Sequence, residues 1–116
     1  MKIKSFKNLT FLSLQFNKLK EIPKEICSLH NLLDLHLNNN KLETICPEIG
    51  NLKKLLTLYL HCNRLVTLPP SISRLKYLED FTIEKNDKLS FPPLKIQKKG
   101  KLNFKNRGKF LIEKKL

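Results

Sequence analysis

Leu32-Leu33-Asp34-Leu35-His36-Leu37-Asn38-Asn39-Asn40-Lys41-Leu42 carries the spacing L-x-x-L-x-L-x-x-N-x-L, and it does not stand alone. The same frame begins at Leu9, Leu55 and Leu78, each 23 residues from its neighbour, and Asn17, Asn40, Asn63 and Asn86 keep that interval. Self-similarity at a fixed period of this size marks a repeat architecture in which each unit buries its apolar face on the next.

Chemistry explains the spacing. Leu12-x-Leu14, Leu35-x-Leu37, Leu58-x-Leu60 and Phe81-x-Ile83 are period-2 pairs, so each unit holds a short strand with two side chains turned into a core and the residue between them turned out. The chain must then bend. An asparagine buried at each bend offers both an amide donor and a carbonyl acceptor to backbone groups that the bend strips of ladder partners, which gives Asn17, Asn40, Asn63 and Asn86 a structural role. The second half of a unit reads as in Ile22-Pro23-Lys24-Glu25-Ile26-Cys27-Ser28-Leu29 and Leu68-Pro69-Pro70-Ser71-Ile72-Ser73-Arg74-Leu75. Its spacings of three and four suit a 3₁₀ or short helical return, with proline at the start. In the second unit Cys46 takes the proline position and Pro47 follows, so a small local change in that return is expected.

With these segments in view, the chain resembles leucine-rich repeat proteins, and its returns are similar to the short 23-residue intracellular type of Ras-pathway scaffolds and scribble-like polarity proteins. The resemblance implies an α/β solenoid: a right-handed horseshoe segment with a short parallel sheet on the concave face and 3₁₀ or short helical returns on the convex face. It implies protein binding but no particular partner.

The expected organisation is a repeat domain over residues 1–94, with a partial repeat at 1–8 and then four repeats, followed by a basic C-terminal cap or tail at 95–116. Ile3-x-x-Phe6-x-x-Leu9 matches Ile26-x-x-Leu29-x-x-Leu32, so the first residues supply a return without a strand. The strand at Leu12 is then an edge with no strand before it; a truncated array that self-associates through this edge is expected, the alternative being that the basic start, with Lys2, Lys4 and Lys7, caps it by charge repulsion. In the last region Leu102-x-Phe104 lies 21 residues after Phe81-x-Ile83. Either it forms a degenerate last strand or small hairpin over the open end, or the region is a disordered tail.

A hydrophobic fraction of 41% with 28% charge is ordinary for one soluble globular domain; the net charge of +13 is not. Residues 95–116 hold nine Lys or Arg against one acid, a net +8 that leaves +5 for the rest. That tail could contact an anionic surface, nucleic acid or an acidic membrane, with Phe104 and Phe110 to stack; nucleic acid is the lesser expectation. It would equally serve as a solubilising end or a nuclear-import signal. Cys27, Cys46 and Cys62 are odd in number and fall inside repeats, which argues against a disulfide framework. No run is long enough for a transmembrane segment, and the start lacks a signal-peptide core, so a cytoplasmic setting is expected. Asn8-Leu9-Thr10 has the glycosylation pattern, but Leu9 is a core position and use of the site is not expected.

The alternation also fixes the outward strand positions. The central column is Ser13, His36, Tyr59 and Thr82; beside it run Phe11, Asp34, Thr57 and Asp80, then Gln15, Asn38, His61 and Glu84, then Phe16, Asn39, Cys62 and Lys85. At a strand spacing of about 4.8 Å, His36, Tyr59 and His61 share one peptide-sized patch. Phe11, Asp34, His36, Tyr59, His61 and Asp80 are therefore the candidate partner-binding residues. Lys18, Lys41 and Arg64 stack nearby, whereas Asp34, Glu79, Asp80, Glu84 and Asp87 make the far end acidic, so the face is bipolar. His36, His61 and Cys62 diverge from one sheet face, unlike the convergent ligands zinc takes. Cys62 has no evident oxyanion site, and Gly50, Gly100 and Gly108 form no phosphate loop. Neither cofactor nor enzymatic activity is expected.

Overall fold

The computed structural model describes residues 6–90 and the backbone of Asn103 and Phe104. Five strands, β1 (Phe11–Ser13), β2 (Asp34–His36), β3 (Thr57–Tyr59), β4 (Asp80–Thr82) and β5 (Asn103–Phe104), form one sheet in chain order. All neighbours are parallel, and Leu12, Leu35, Leu58 and Phe81 stand opposite one another in a single column. Each of these strands is three residues long or shorter, and the first four run from the residue before the first inward side chain of each period-2 pair to the residue after it.

The fifth strand settles a register that the apolar pattern set two residues off. Asp80 pairs with Asn103 and Phe81 with Phe104, an interval of 23, where matching Leu102 to Phe81 gave 21. Both registers put Phe104 on the same parity, so alternation alone could not tell them apart. The slip expected near Lys95 and Ile96, the turn at Asn106 to Gly108 and the remainder of the basic tail lie outside the described residues, as does the start at 1–5.

Returns at Lys24–Ser28, Pro47–Asn51 and Pro70–Arg74 close the units as 3₁₀ turns. Their i to i+3 bonds repeat: Ile26 N–H donates to Pro23 O, Ile49 N–H to Cys46 O and Ile72 N–H to Pro69 O, at 3.1, 3.1 and 3.2 Å. The change expected at Cys46 does not occur. With φ −64° and ψ 145° it takes the same extended conformation as Pro23 and Pro69, so the geometry proline imposes is adopted here without one. Gly50 matters for close approach: a Cβ there would meet Ser71 O at 2.7 Å, so only glycine lets the second and third returns pack this tightly.

The core is the stack of inward leucines and isoleucines between sheet and returns, from Ile22 to Leu89, with Leu35, Leu58 and Phe81 fully buried. In the first unit Leu9, Leu12, Leu14 and Leu19 are only partly buried; among the described residues a repeat packs against them on one side only. Among the described residues no helix is long and apolar enough to cross a membrane.

The bends carry two repeated devices. Asn40, Asn63 and Asn86 are buried, and each amide nitrogen donates to the leucine or isoleucine carbonyl three residues back and to a carbonyl of the preceding unit. Each side-chain oxygen in turn accepts a backbone N–H from the preceding unit, from Leu19, Leu42 and Leu65. Asn17 is exposed, and its bonds reach only Leu14 O and Gln15 O of its own unit. The residue before each asparagine is left-handed: Phe16, Asn39, Cys62 and Lys85 have φ between 57° and 60°. That conformation disfavours a Cβ by roughly 1–2 kcal/mol per residue. It turns the N–H of Phe16, Asn39 and Cys62 onto the next unit, where Asn38 O, His61 O and Glu84 O accept.

Candidate functional site: the concave sheet face

Strand register brings the outward residues of four units into rows. Phe11, Asp34, Thr57 and Asp80 align, and beside them Ser13, His36, Tyr59 and Thr82. Across these rows an aromatic run crosses the sheet. The Phe11 ring meets His36 edge-on with centroids 5.0 Å apart, His36 stacks on Tyr59 at 4.5 Å and 20°, and Tyr59 tilts against His61 at 5.7 Å. Offset-stacked and edge-to-face pairs at these separations are favourable. Phe11 is about half exposed at 49%, so the run opens to solvent at the β1 end.

Carboxylates hold the run at the other end. Tyr59 Oη donates to Asp80 Oδ2 at 2.9 Å. That bond, then burial, then the charges of Asp80 and Asp34 raise the Tyr59 hydroxyl above its ordinary value, so it remains a donor throughout the neutral range. His61 Nδ1 lies 2.6 Å from Thr82 Oγ1 and 4.0 Å from Glu84 Oε1. The six residues singled out in the sequence thus converge: four share the aromatic run, Asp80 is tied to it by a hydrogen bond, and Asp34 acts on Tyr59 through its charge.

Alternation places Thr82 in the outward central column but not among the six candidates, and its burial corrects that placement. No alternation pattern signals that burial, and Thr82 sets the orientation of the His61 ring.

Burial depresses His61 below its ordinary value of 6.5, with Glu84 opposing and His36 adding to the effect. The unfolded chain therefore takes up the His61 proton at a pH where the native chain does not. This contribution to stability is complete above 6.5 and is lost as pH falls through the lower native value. Urea midpoints should fall from pH 7 to about 5, and less steeply in His61→Gln. Equal slopes in the two proteins would show that this ring does not couple to folding.

The model of the Leucine Rich Repeat family matches residues 8–29, 31–52 and 54–75, more than half of the chain. The chain belongs to the leucine-rich repeat family. Among solved structures, this leucine-rich repeat chain is similar to a leucine-rich repeat protein of Leptospira interrogans, with 30% identity over 90% of this chain and a TM-score of 0.67. It is also similar to the plant peptide hormone receptor RGFR1 in complex with RGF2, with 35% identity over 89% of this chain and a TM-score of 0.72. It spans 33% of the first chain and 17% of the second. No curated protein matches the sequence significantly. The leucine-rich repeat is in general a protein-interaction fold and typically non-enzymatic.

Proposed function

We propose that the chain is a non-catalytic interaction module whose concave sheet docks a segment of a partner protein, contacted by Phe11, Asp34, His36, Tyr59, His61 and Asp80. The observation that carries this is the aromatic run from Phe11 to His61, laid across a sheet whose strands are fixed in register. Rings held by their neighbours lose little freedom on binding, and amphipathic aromatics at the centre of a patch are the usual hot spots. Tyr59 sits in the middle of the run, with its hydroxyl already directed by Asp80. The likeness to a receptor in complex with RGF2 supports a protein or peptide ligand here. Odd in number and placed inside repeats, the cysteines suit a reducing compartment, and a scaffolding or signalling role in the cytoplasm is the setting this reading proposes. The edge of β1, where Leu9, Leu12 and Leu14 are partly buried, is where a second copy would pair.

Selection of a displayed random-peptide library on the chain, followed by calorimetry on the selected peptides, tests the concave site. Tyr59→Ala should weaken binding by about 30-fold, in line with a hot-spot loss of at least 2 kcal/mol, while Lys53→Ala should leave it unchanged. Raising salt from about 50 to 200 mM should alter the affinity far less than the 10³-fold or greater loss typical of phosphate-driven contacts. Peptides that bind Tyr59→Ala as tightly as the parent would remove the concave face from consideration, and a steep salt slope would direct attention to the basic tail.

A further inference from the structure

Two sulfurs from successive repeats meet among the returns, away from the aromatic run. Cys27 lies within the first return, 3% exposed, and Cys46 is the residue that opens the second; their Sγ atoms are 3.3 Å apart. They are 19 residues apart rather than 23, so they are not equivalent positions. The Cys27 side chain reaches forward to the start of the next return. Its own equivalent one unit on is Gly50, where a Cβ would already meet Ser71 backbone at 2.7 Å. The gap between first and second returns therefore accommodates two sulfurs, whereas the next gap has no room for a side chain on that column. Cys62 lies elsewhere, at a left-handed bend beside Asn63.

We propose that Cys27 and Cys46 are an oxidative modification site, which closes into a disulfide between repeats when the chain meets hydrogen peroxide. Cys46 is the more exposed sulfur and reacts first. Its thiolate attacks one peroxide oxygen, the O–O bond breaks, and with a proton from solvent the products are the Cys46 sulfenic acid and one water. Cys27 then attacks the Cys46 sulfur. The S–S bond forms, the S–O bond breaks, and the departing hydroxide takes the Cys27 proton to leave as a second water. Two thiols have lost two electrons and two protons, and the peroxide has accepted them. Burial, then the hydrogen bond to Cys46, pushes the Cys27 thiol well above its ordinary range, so it stays protonated and is not the sulfur that peroxide oxidises; it enters only the second step, where contact with Cys46 brings it to the sulfenic sulfur and the departing hydroxide removes its proton. The sulfurs need to close only from 3.3 Å to about 2.05 Å.

The bond would tie the first return to the second and hold the partly buried first repeat in place. Each cysteine falls in its own tryptic peptide, residues 25–41, 42–53 and 55–64, so the products can be read directly. The full chain is treated with hydrogen peroxide and followed by intact mass, maleimide labelling and peptide mapping. The expected result is a loss of about 2 Da, one remaining reactive thiol on Cys62, and a single linked species joining 25–41 to 42–53 that dithiothreitol reverses. The oxidised chain should melt at least about 5 °C higher than the reduced chain. Cys62→Ser should still form the link, and Cys46→Ser should not. Linkage through 55–64, stable sulfenic or sulfinic acid on Cys46 without linkage, or disulfides only between molecules would each overturn the proposal.

Discussion

Asn63→Ala should lower stability by about 2–5 kcal/mol although the side chain faces no ligand, and the bonds it makes show why. Its oxygen accepts Leu42 N–H at 3.0 Å, and its nitrogen donates to Leu37 O and Leu60 O at 3.0 and 3.1 Å. The two carbonyls would be left half satisfied, since Asn40 also reaches Leu37 O and Asn86 also reaches Leu60 O. The Leu42 amide would lose its side-chain acceptor beside a fully buried side chain. A stranded buried donor costs about 1–3 kcal/mol, and each lost hydrogen bond adds about 0.5–1.5. Asn17→Ala supplies the contrast. Asn17 is exposed and its bonds stay within its own unit, so its replacement should cost below about 1 kcal/mol. Urea denaturation of both variants, with Lys53→Ala as an exposed reference expected within about 0.5 kcal/mol, decides the matter. If Asn63→Ala and Lys53→Ala unfolded at the same midpoint, the asparagines would not be the links between units.

These asparagines were legible in the sequence because one chemical requirement recurs every 23 residues, as do the inward leucines. The left-handed column beside them was not. Phe16, Asn39, Cys62 and Lys85 share no side-chain chemistry, and what repeats there is a backbone angle. Their only signal is position, one residue before each asparagine. The contact between Cys27 and Cys46 was hidden for a related reason: its offset of 19 is not the repeat interval, so no column of the frame contains it. On the concave face, alternation brought the six candidates together, but it also placed Asn38 and Thr82 outward, and both are buried. Alternation says nothing of ring orientation. The hold of Thr82 on His61 and the bond from Tyr59 to Asp80 depend on rotamers that only the packed sheet selects.

An effect of the same size should come from Leu35→Ala. Leu35 is fully buried and stands in register between Leu12 and Leu58, so its side chain belongs to two repeat interfaces at once. Truncating such a leucine removes its transfer free energy and leaves a cavity, together about 2–5 kcal/mol. A whole domain is typically stable by only about 5–15 kcal/mol, so much of the margin of a short array would go with one side chain. Leu12→Ala makes the same chemical change one unit earlier, where the side chain is only partly buried and packs against a repeat on one side. That change should cost below about 2 kcal/mol, since less apolar surface leaves water in the first place. The two variants should also differ in what they loosen. Loss of Leu35 weakens the joints on both sides of β2, so amide exchange should rise in β1 and β2 together, whereas loss of Leu12 should raise it in β1 alone. Thermal melts followed by circular dichroism, with hydrogen exchange on the same samples, measure both quantities. Equal losses of stability for Leu12→Ala and Leu35→Ala would mean that burial does not grade along the array, and that the first repeat is covered as completely as the second.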